Sequence, residues 1–134
     1  MRLERITIRP PSPGATAVLP QRPKPYRVSA VAFRFTVVNV PIHTAVWQLA
    51  DSTGGIIAAG YSDALAPNED NLVSFSPNCQ IAATPNLAAP PFLRIAFLPP
   101  DLWVLPGEVF SCRVEEGAAG DTWALLLASL MAVE

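Results

Sequence analysis

The sequence predicts an all-β protein, an antiparallel β-sandwich or jelly roll preceded by an extended, proline-rich N-terminal arm. Short segments alternate apolar and polar residues with a period of two, as half-buried strands do. They recur roughly every 8–12 residues, and turns rich in proline and glycine separate them. Six prolines fall within residues 10–25, which excludes a helix or a central strand there. We therefore predict an arm over residues 1–25 and a β-sandwich domain over residues 26–134.

The first half of the chain gives the clearest strand pattern. Residues 1–9 predict a short strand within the arm, and residues 27–39 predict a long strand after it. Residues 43–50 and 56–61 are predicted to pair as a hairpin, because the sequence DSTGG between them is typical of a hairpin turn. The residues expected to face the core from the strands at 27–39 and 43–50 are Val31, Phe33, Phe35, Val37, Ala45, Trp47 and Leu49.

The second half is predicted to hold shorter strands between longer loops. Residues 63–71 and 84–91 are expected to be loops, with short strands at 72–75 and 79–82. Residues 92–98 alternate, with Leu93, Ile95 and Phe97 expected to face inward and Arg94 outward. A tight turn is expected at Pro106-Gly107, and residues 108–115 are expected to direct Phe110, Cys112 and Val114 inward.

The last segment, residues 122–133, fits two structures. Its leucine and alanine content favours a helix that Asp121 or Thr122 caps. A strand buried on both faces has the same apolar pattern. We predict a strand, because a hairpin with residues 108–115 needs only the glycine-bearing turn at residues 116–121.

Composition points to a protein that is partly covered by neighbours. Hydrophobic residues make up 51% of the chain and charged residues only 15%, against about 25% charged in typical soluble domains. Residues 1–27 carry a net charge of +5 and the remainder carries −7. A basic arm on an acidic body favours docking onto an acidic neighbour, which includes another copy of the chain. The alternative is a solvated tail whose charge only aids solubility.

No membrane segment and no secretion signal are expected. The longest apolar stretch, residues 123–133, is half the length of a membrane-spanning helix, for which roughly 20 residues are needed. The N-terminal residues MRLER lead into no apolar signal core.

The sequence contains no set of residues that predicts catalysis, a metal or a cofactor. His43 is the only histidine, and without a companion motif we interpret it as a surface residue at a strand end. Cys79 and Cys112 lack zinc-ligand spacing. Cys112 is interpreted as a small buried hydrophobe, and a disulfide between the two cysteines is left open. The acidic residues are interpreted as solvated loop residues, although Glu69-Asp70-Asn71 offers oxygens of the kind that calcium prefers.

Nucleic-acid binding is disfavoured, because the predicted sandwich is acidic. A weak phosphate contact by Arg22, Lys24 and Arg27 beside Tyr26 is left open. At least two of the three tryptophans are expected to anchor the core. The exception is Trp103, which follows Leu102 between two proline turns and is the best candidate for an exposed aromatic at an interface.

Three stretches resemble small β-rich structural proteins encoded by tailed bacteriophages. They are YRVSAVAFRFT at residues 26–36, LPPDLWVLPGE at residues 98–108 and GAAGDTW at residues 117–123. The resemblance covers residues 26–134 and implies a non-enzymatic virion protein. It implies a capsid decoration (cement) protein that binds the major capsid protein or other virion proteins and forms a homo-oligomer, with a trimer favoured. The protein would then sit on the capsid surface after assembly in the host cytoplasm.

An extended arm suits strand addition to a neighbouring subunit. The expected interface residues of the arm are Leu3, Ile6 and Ile8 for strand addition and Arg2, Arg5 and Arg9 for ion pairs. Leu102 and Trp103 are the expected interface residues of a loop. Two alternatives stay open: a head-neck or tail accessory protein, and a fibre-type receptor- or glycan-binding sandwich that uses Trp103 and Tyr61. A small hydrolase is the least favoured function.

Overall fold

The computed structural model describes residues 1–10, 12, 14–38, 43–77, 92–115, 121–123 and 125–133. Within these residues the chain forms strands and no helix, so the predicted all-β class is confirmed. The strands form two sheets that enclose one hydrophobic core in a sandwich-like arrangement. In chain order they are β1 (Arg2–Ile8), β2 (Ala17–Val18), β3 (Tyr26–Thr36), β4 (Thr44–Ala50), β5 (Ile56–Ala64), β6 (Asp70–Ser76), β7 (Phe92–Phe97), β8 (Trp103–Val104), β9 (Val109–Glu115), β10 (Thr122–Trp123) and β11 (Leu126–Ala132).

The larger sheet is built around β3. Strands β11 and β10 pair with one side of β3, and β6 and β8 pair with the other side. Strand β1 extends this sheet beyond β11, and β7 extends it beyond β6. The register between β3 and β11 shifts at Ser29, where β3 has one extra residue. A bulge of this kind changes which residues face inward, so Tyr26 and Val28 face the core before it and Val31, Phe33 and Phe35 after it.

The smaller sheet has the order β2-β9-β4-β5 and is antiparallel throughout. The predicted hairpin of β4 and β5 is confirmed. Its turn is held by Asp51, whose Oδ1 accepts hydrogen bonds from the backbone N–H of Thr53 and Gly55, both at 2.9 Å. Gly54 has a φ of 88°, a left-handed conformation that glycine adopts without steric cost.

The core lies between the two sheets and contains the residues that the period-two pattern predicted for β3, β4 and β9. Trp123 stacks on Phe33 with ring centroids 4.8 Å apart, and Trp47 stacks on Phe110 at 6.0 Å. Trp47 and Trp123 are both buried, which confirms that at least two tryptophans anchor the core. Cys112 is a free thiol, and its burial confirms the interpretation as a small buried hydrophobe.

The described part of residues 1–25 lies against the body. Strand β1 is an edge of the larger sheet, and the short β2 is an edge of the smaller one. Ala17 and Leu19 are buried in the core, and the Leu19 N–H donates a hydrogen bond to the Phe110 carbonyl at 2.9 Å. The described prolines of this segment, Pro10, Pro20, Pro23 and Pro25, lie outside the strands, as the missing N–H of proline favours.

One predicted strand pairing and the predicted purely antiparallel arrangement are wrong. Residues 126–132 form a strand, but β11 pairs with β3 and β1 in the larger sheet and not with β9. The hairpin argument failed because apolar pattern and turn position do not say which sheet a fully buried strand joins. The sheets are also not purely antiparallel, because β6 and β7 run parallel.

The predicted inward face of residues 92–98 is wrong as well. Leu93, Ile95 and Phe97 are 45%, 37% and 54% exposed, whereas Ala96 and Leu98 pack on the core. The strand carries apolar residues on its outer face, so alternation alone assigned its two faces the wrong way round. The predicted strand at 79–82, the loop at 84–91 and most of the turn at 116–121 lie outside the described residues, as does Cys79.

Candidate protein-binding surface

One side of the sandwich is a seam between the edge strands of the two sheets. Strand β5 ends the smaller sheet, β7 ends the larger one, and the two strands lie alongside each other. The Arg94 Nε donates a hydrogen bond to the Ala64 carbonyl at 2.7 Å, and the Trp47 Nε1 donates one to the Phe97 carbonyl at 3.2 Å. Side chains therefore join the two sheets where no strand ladder between β5 and β7 is present.

Trp47 reaches across the seam because residue 60 is a glycine. Trp47 lies opposite Gly60 in the β4–β5 register. A Cβ built on Gly60 would stand 2.7 Å from the Trp47 Cε2 and closer still to the Nε1. Since real Cβ atoms do not approach other atoms so closely, the open backbone of Gly60 is what admits the indole ring.

The outer surface of this seam is apolar. The exposed large side chains are Ile56, Ile57 and Tyr61 on β5 and Leu93, Ile95 and Phe97 on β7; we call these six residues the β5–β7 surface. Each is between 37% and 64% exposed. At on the order of 200 Å² for a large side chain, the six expose roughly 600 Å². This much exposed apolar area on two neighbouring strands is typical of an interaction site.

The opposite side of the sandwich carries the basic residues of the predicted arm. We call residues 1–9 the basic edge. Arg2, Leu3, Arg5 and Arg9 are exposed there, and Leu3 is 50% exposed. Ile6 and Ile8 are partly buried and pack against the core of their own chain. Strand addition by β1 to a neighbour and ion pairs from Arg2, Arg5 and Arg9 to a neighbour stay predictions.

Glu4 ties the basic edge to the segment that follows it. The Glu4 carboxylate lies 2.5 Å from Arg2 Nη2 and 2.6 Å from Arg22 Nη1. The hydrogen bond from Arg2, and after it the one from Arg22, lower the pKa of Glu4 below its usual range. The Arg22 guanidinium also lies over the Tyr26 ring, 5.6 Å from its centroid. Arg2 and Arg22 are thus already paired within the chain.

The predicted loop interface divides into one buried and one half-buried residue. Leu102 is 7% exposed and belongs to the core. Trp103 is half-buried in β8, where it pairs with Arg27 of β3. The structure therefore brings neither residue to the β5–β7 surface.

The interpretation of His43 as a surface residue is wrong. His43 and Asp121 are fully buried side chains, and the His43 Nε2 lies 2.9 Å from the Asp121 Oδ2. The other carboxylate oxygen, Oδ1, accepts a hydrogen bond from the Val38 N–H at 2.8 Å. The two partners are 78 positions apart in the sequence, and no sequence pattern predicted the pair. Because it is sealed from solvent beside the Phe35 ring, we assign this pair to fold stability.

The described residues contain no cluster of three histidine, cysteine or acidic side chains that could hold a metal ion. Burial raises the pKa of the Cys112 thiol, which disfavours the reactive thiolate form. A cleft of about 150 Å³ beside Tyr26 includes Arg22 and Lys24, but Glu4 already pairs with Arg22. The described part of the chain also has no helix long and apolar enough to cross a membrane.

Comparison with known proteins adds no relative. No family model, no curated protein and no solved structure matches the chain.

Proposed function

We propose that this chain is a non-enzymatic structural protein of a tailed-bacteriophage particle, a capsid decoration protein that binds its neighbours through the β5–β7 surface. The observation that carries the proposal is the concentration of six exposed large side chains on one side of the sandwich. The resemblance of residues 26–134 to small phage structural proteins supports the particle as its location. The major capsid protein or another virion protein is the proposed partner.

The chemistry of the β5–β7 surface fits binding to protein. Its aromatic and branched aliphatic side chains are of the type found at the centre of protein interfaces. The seam carbonyls of Ala64, Leu93 and Phe97 already accept hydrogen bonds from Arg94 and Trp47. Binding there therefore buries side chains and does not leave these acceptors unsatisfied. The low charged fraction of 15% agrees with a protein whose surface is covered after assembly.

The finer features of the predicted fold belong to this proposal. We propose that residues 1–25 act as an arm during assembly, with β1 paired to β11 of its own chain in the free protein. A jelly-roll topology stays a prediction, because the strand order and the parallel β6–β7 pair define only a mixed, sandwich-like architecture.

The test is binding to particles that were assembled without this protein. We expect the purified protein to cosediment with such particles at a fixed stoichiometry and Ile95→Asp to abolish cosedimentation, because a charge would be buried without a partner. Leu105→Asp is the matched control, since Leu105 is 49% exposed and lies in the turn after β8. Equal cosedimentation of wild type and Ile95→Asp contradicts docking through this surface, and no cosedimentation of the wild type contradicts the decoration function.

A second function, glycan or receptor binding by a fibre-type module, is favoured by Tyr61. Tyr61 is 62% exposed, and Asp63, two residues further along β5, is also exposed. An exposed aromatic ring with a carboxylate nearby on the same strand suits stacking on a sugar and hydrogen bonding to its hydroxyls. A glycan array with the wild type and Tyr61→Ala distinguishes this function: binding that Tyr61→Ala removes and Ile95→Asp preserves supports it over particle decoration.

A further inference from the structure

The two sides of the sandwich carry complementary surfaces. Strands β1 and β7 are opposite edges of the larger sheet, and β2 and β5 are opposite edges of the smaller one. The basic edge therefore lies on one side of the molecule and the β5–β7 surface on the other. A contact between these two surfaces joins one copy of the chain to the next in the same orientation.

Charge distinguishes the two sides. Arg5 and Arg9 are exposed on the basic edge and form no ion pair within the described residues. The β5–β7 side carries one acid and one base: Asp63 is exposed and forms no ion pair with the part of the chain that the structure describes, and the Arg94 guanidinium donates hydrogen bonds to backbone carbonyls. Residues 28–134 as a whole carry a net charge of −7. A cationic edge and an acidic body favour contact between unlike sides.

Apolar side chains accompany these charges on both sides. On the basic side, Leu3 is 50% exposed on β1 and Val18 is 48% exposed on β2. The β5–β7 surface exposes roughly 600 Å², close to the approximately 800 Å² that each partner of a stable interface buries. Leu3 and Val18, with the stems of the arginine side chains, supply apolar surface for it to cover.

We propose that the β5–β7 surface binds the basic edge of a second copy of this chain. This inference names the partner of the β5–β7 surface and rests on the proposed role of that surface in assembly. The contact is heterologous, since each protomer offers a different surface to each neighbour. It places the cationic Arg5 and Arg9 of one protomer next to the acidic body of the next.

A twofold contact between two basic edges is disfavoured by the same charges. Pairing β1 with β1 of another copy brings Arg2, Arg5 and Arg9 of both chains together around two Glu4 carboxylates that Arg2 and Arg22 already occupy. Like charges on adjacent strands are destabilising. A twofold contact between two β5–β7 surfaces is the remaining alternative, and the experiment below separates it from the head-to-tail contact.

The experiment uses the full chain and two variants that each damage one side. Leu3→Asp places a carboxylate on the basic edge, and Ile95→Asp places one on the β5–β7 surface. Both side chains are partly exposed, so the variants should fold, which circular dichroism checks. Light scattering after size-exclusion chromatography measures the mass of each protein alone and of the two mixed in equal amounts.

We expect the wild type to form an oligomer and each variant alone to be monomeric, with a dissociation constant at least about tenfold higher. The mixture should form a 1:1 heterodimer, because Leu3→Asp retains an intact β5–β7 surface and Ile95→Asp retains an intact basic edge. Leu105→Asp should assemble like the wild type.

Other outcomes overturn the inference. One such outcome is that Leu3→Asp dimerises by itself and Ile95→Asp stays monomeric in the mixture. This result would show a twofold contact between two β5–β7 surfaces. A monomeric wild type shows that the surface is not occupied by a second copy. Binding of that monomer to undecorated particles would still support the proposed function, so failure of the inference and failure of the function are distinguishable.

Discussion

The indole ring of Trp47 lies over Gly60, the residue opposite it in the β4–β5 ladder, and donates a hydrogen bond beyond it to the Phe97 carbonyl of the other sheet. A single side chain of the smaller sheet thus contacts an edge strand of the larger one. The exposed side chains of the β5–β7 surface are arranged on either side of this contact. Its integrity therefore affects both the stability of the sandwich and the shape of the surface.

Gly60→Ala should lower the free energy of unfolding by about 1–3 kcal/mol, because the added methyl group forces the buried indole from its position. Trp47→Phe should also destabilise the protein, since it removes the hydrogen bond to Phe97. In the double variant the smaller phenyl ring leaves room for the methyl group, so the loss should be less than the sum of the two single losses. Urea unfolding measures all three values.

The matched control for this cycle is Ala59→Ser on the exposed neighbour of Gly60, with an expected change within about 0.5 kcal/mol. Strict additivity of Gly60→Ala and Trp47→Phe would show that the two residues do not compete for the same space.

Asp121→Ala should cost about 3 kcal/mol or more, because it removes a buried carboxylate that accepts a hydrogen bond from the Val38 N–H and lies 2.9 Å from the His43 Nε2. Asp101→Ala is the control. The Asp101 side chain is 84% exposed and lies 4.0 Å from Arg27, so its loss should be nearly neutral. Thermal unfolding compares the two variants, and similar midpoints for both would contradict a stabilising role for the buried pair.

The sequence was sufficient for strands whose two faces differ clearly. Phe33 and Phe35 alternate with Arg34 and Thr36, and the pleat of a strand then places the phenylalanines in the core. The turn at Asp51 and the burial of Cys112 followed from equally local patterns. No comparable pattern predicts long-range partners. His43 lies just before β4 and Asp121 just before β10, and only the folded topology brings them together.

The candidate surface was not predicted, and β7 shows why. The apolar residues Leu93, Ile95 and Phe97 are what an inward-facing strand would carry, and Arg94 is what its outer face would carry. In the fold, Ala96 and Leu98 face the core instead. Arg94 uses its guanidinium to bind the Ala64 and Leu93 carbonyls. The sequence pattern alone does not distinguish an apolar residue on a binding surface from one in the core.

Leu102→Ala should lower the free energy of unfolding by about 2–4 kcal/mol through the cavity that it leaves in the core. Leu105→Ala, three residues away and 49% exposed, should change it by less than about 0.5 kcal/mol. Chemical unfolding of both variants decides whether Leu102 is a core residue. If Leu102→Ala left the free energy of unfolding unchanged and weakened particle binding, Leu102 would be an interface residue, as its sequence context predicted.

Asp51→Asn should reduce the loss of stability in acid. Hydrogen bonds from the Thr53 side chain and from the backbone N–H of Gly55 and Thr53 lower the pKa of Asp51 in the folded state. The carboxylate therefore stabilises the fold above its unfolded pKa, and this contribution disappears as the pH falls through the lowered value. The stability difference between the wild type and Asp51→Asn should shrink from about pH 6 to about pH 2. Ser52→Ala, which changes no titrating group, should show a difference that does not depend on pH.

Tyr26 should make the protein sensitive to alkali. Its side chain is buried, and its hydroxyl donates a hydrogen bond to the Pro20 carbonyl at 3.1 Å. Burial raises the pKa of Tyr26 from 10.0 to about 12. Between these two values the unfolded chain loses the proton and the folded chain keeps it, so stability falls as the pH rises through this range. The loss attributable to Tyr26 is on the order of 2 kcal/mol by pH 12.

Tyr26→Phe isolates this contribution, because it removes the ionisation and keeps the ring under the Arg22 guanidinium. The variant should be less stable than the wild type at neutral pH, since the hydrogen bond to Pro20 is lost, and the gap should narrow between about pH 10 and pH 12. Denaturant midpoints at closely spaced pH values measure it. The Cys112 thiol, whose pKa burial also raises, contributes alkaline loss equally in both proteins and cancels from the comparison. A gap that stays constant over this range would mean that the Tyr26 hydroxyl reaches solvent in the folded protein, and that the Pro20 contact does not seal the N-terminal segment onto the body.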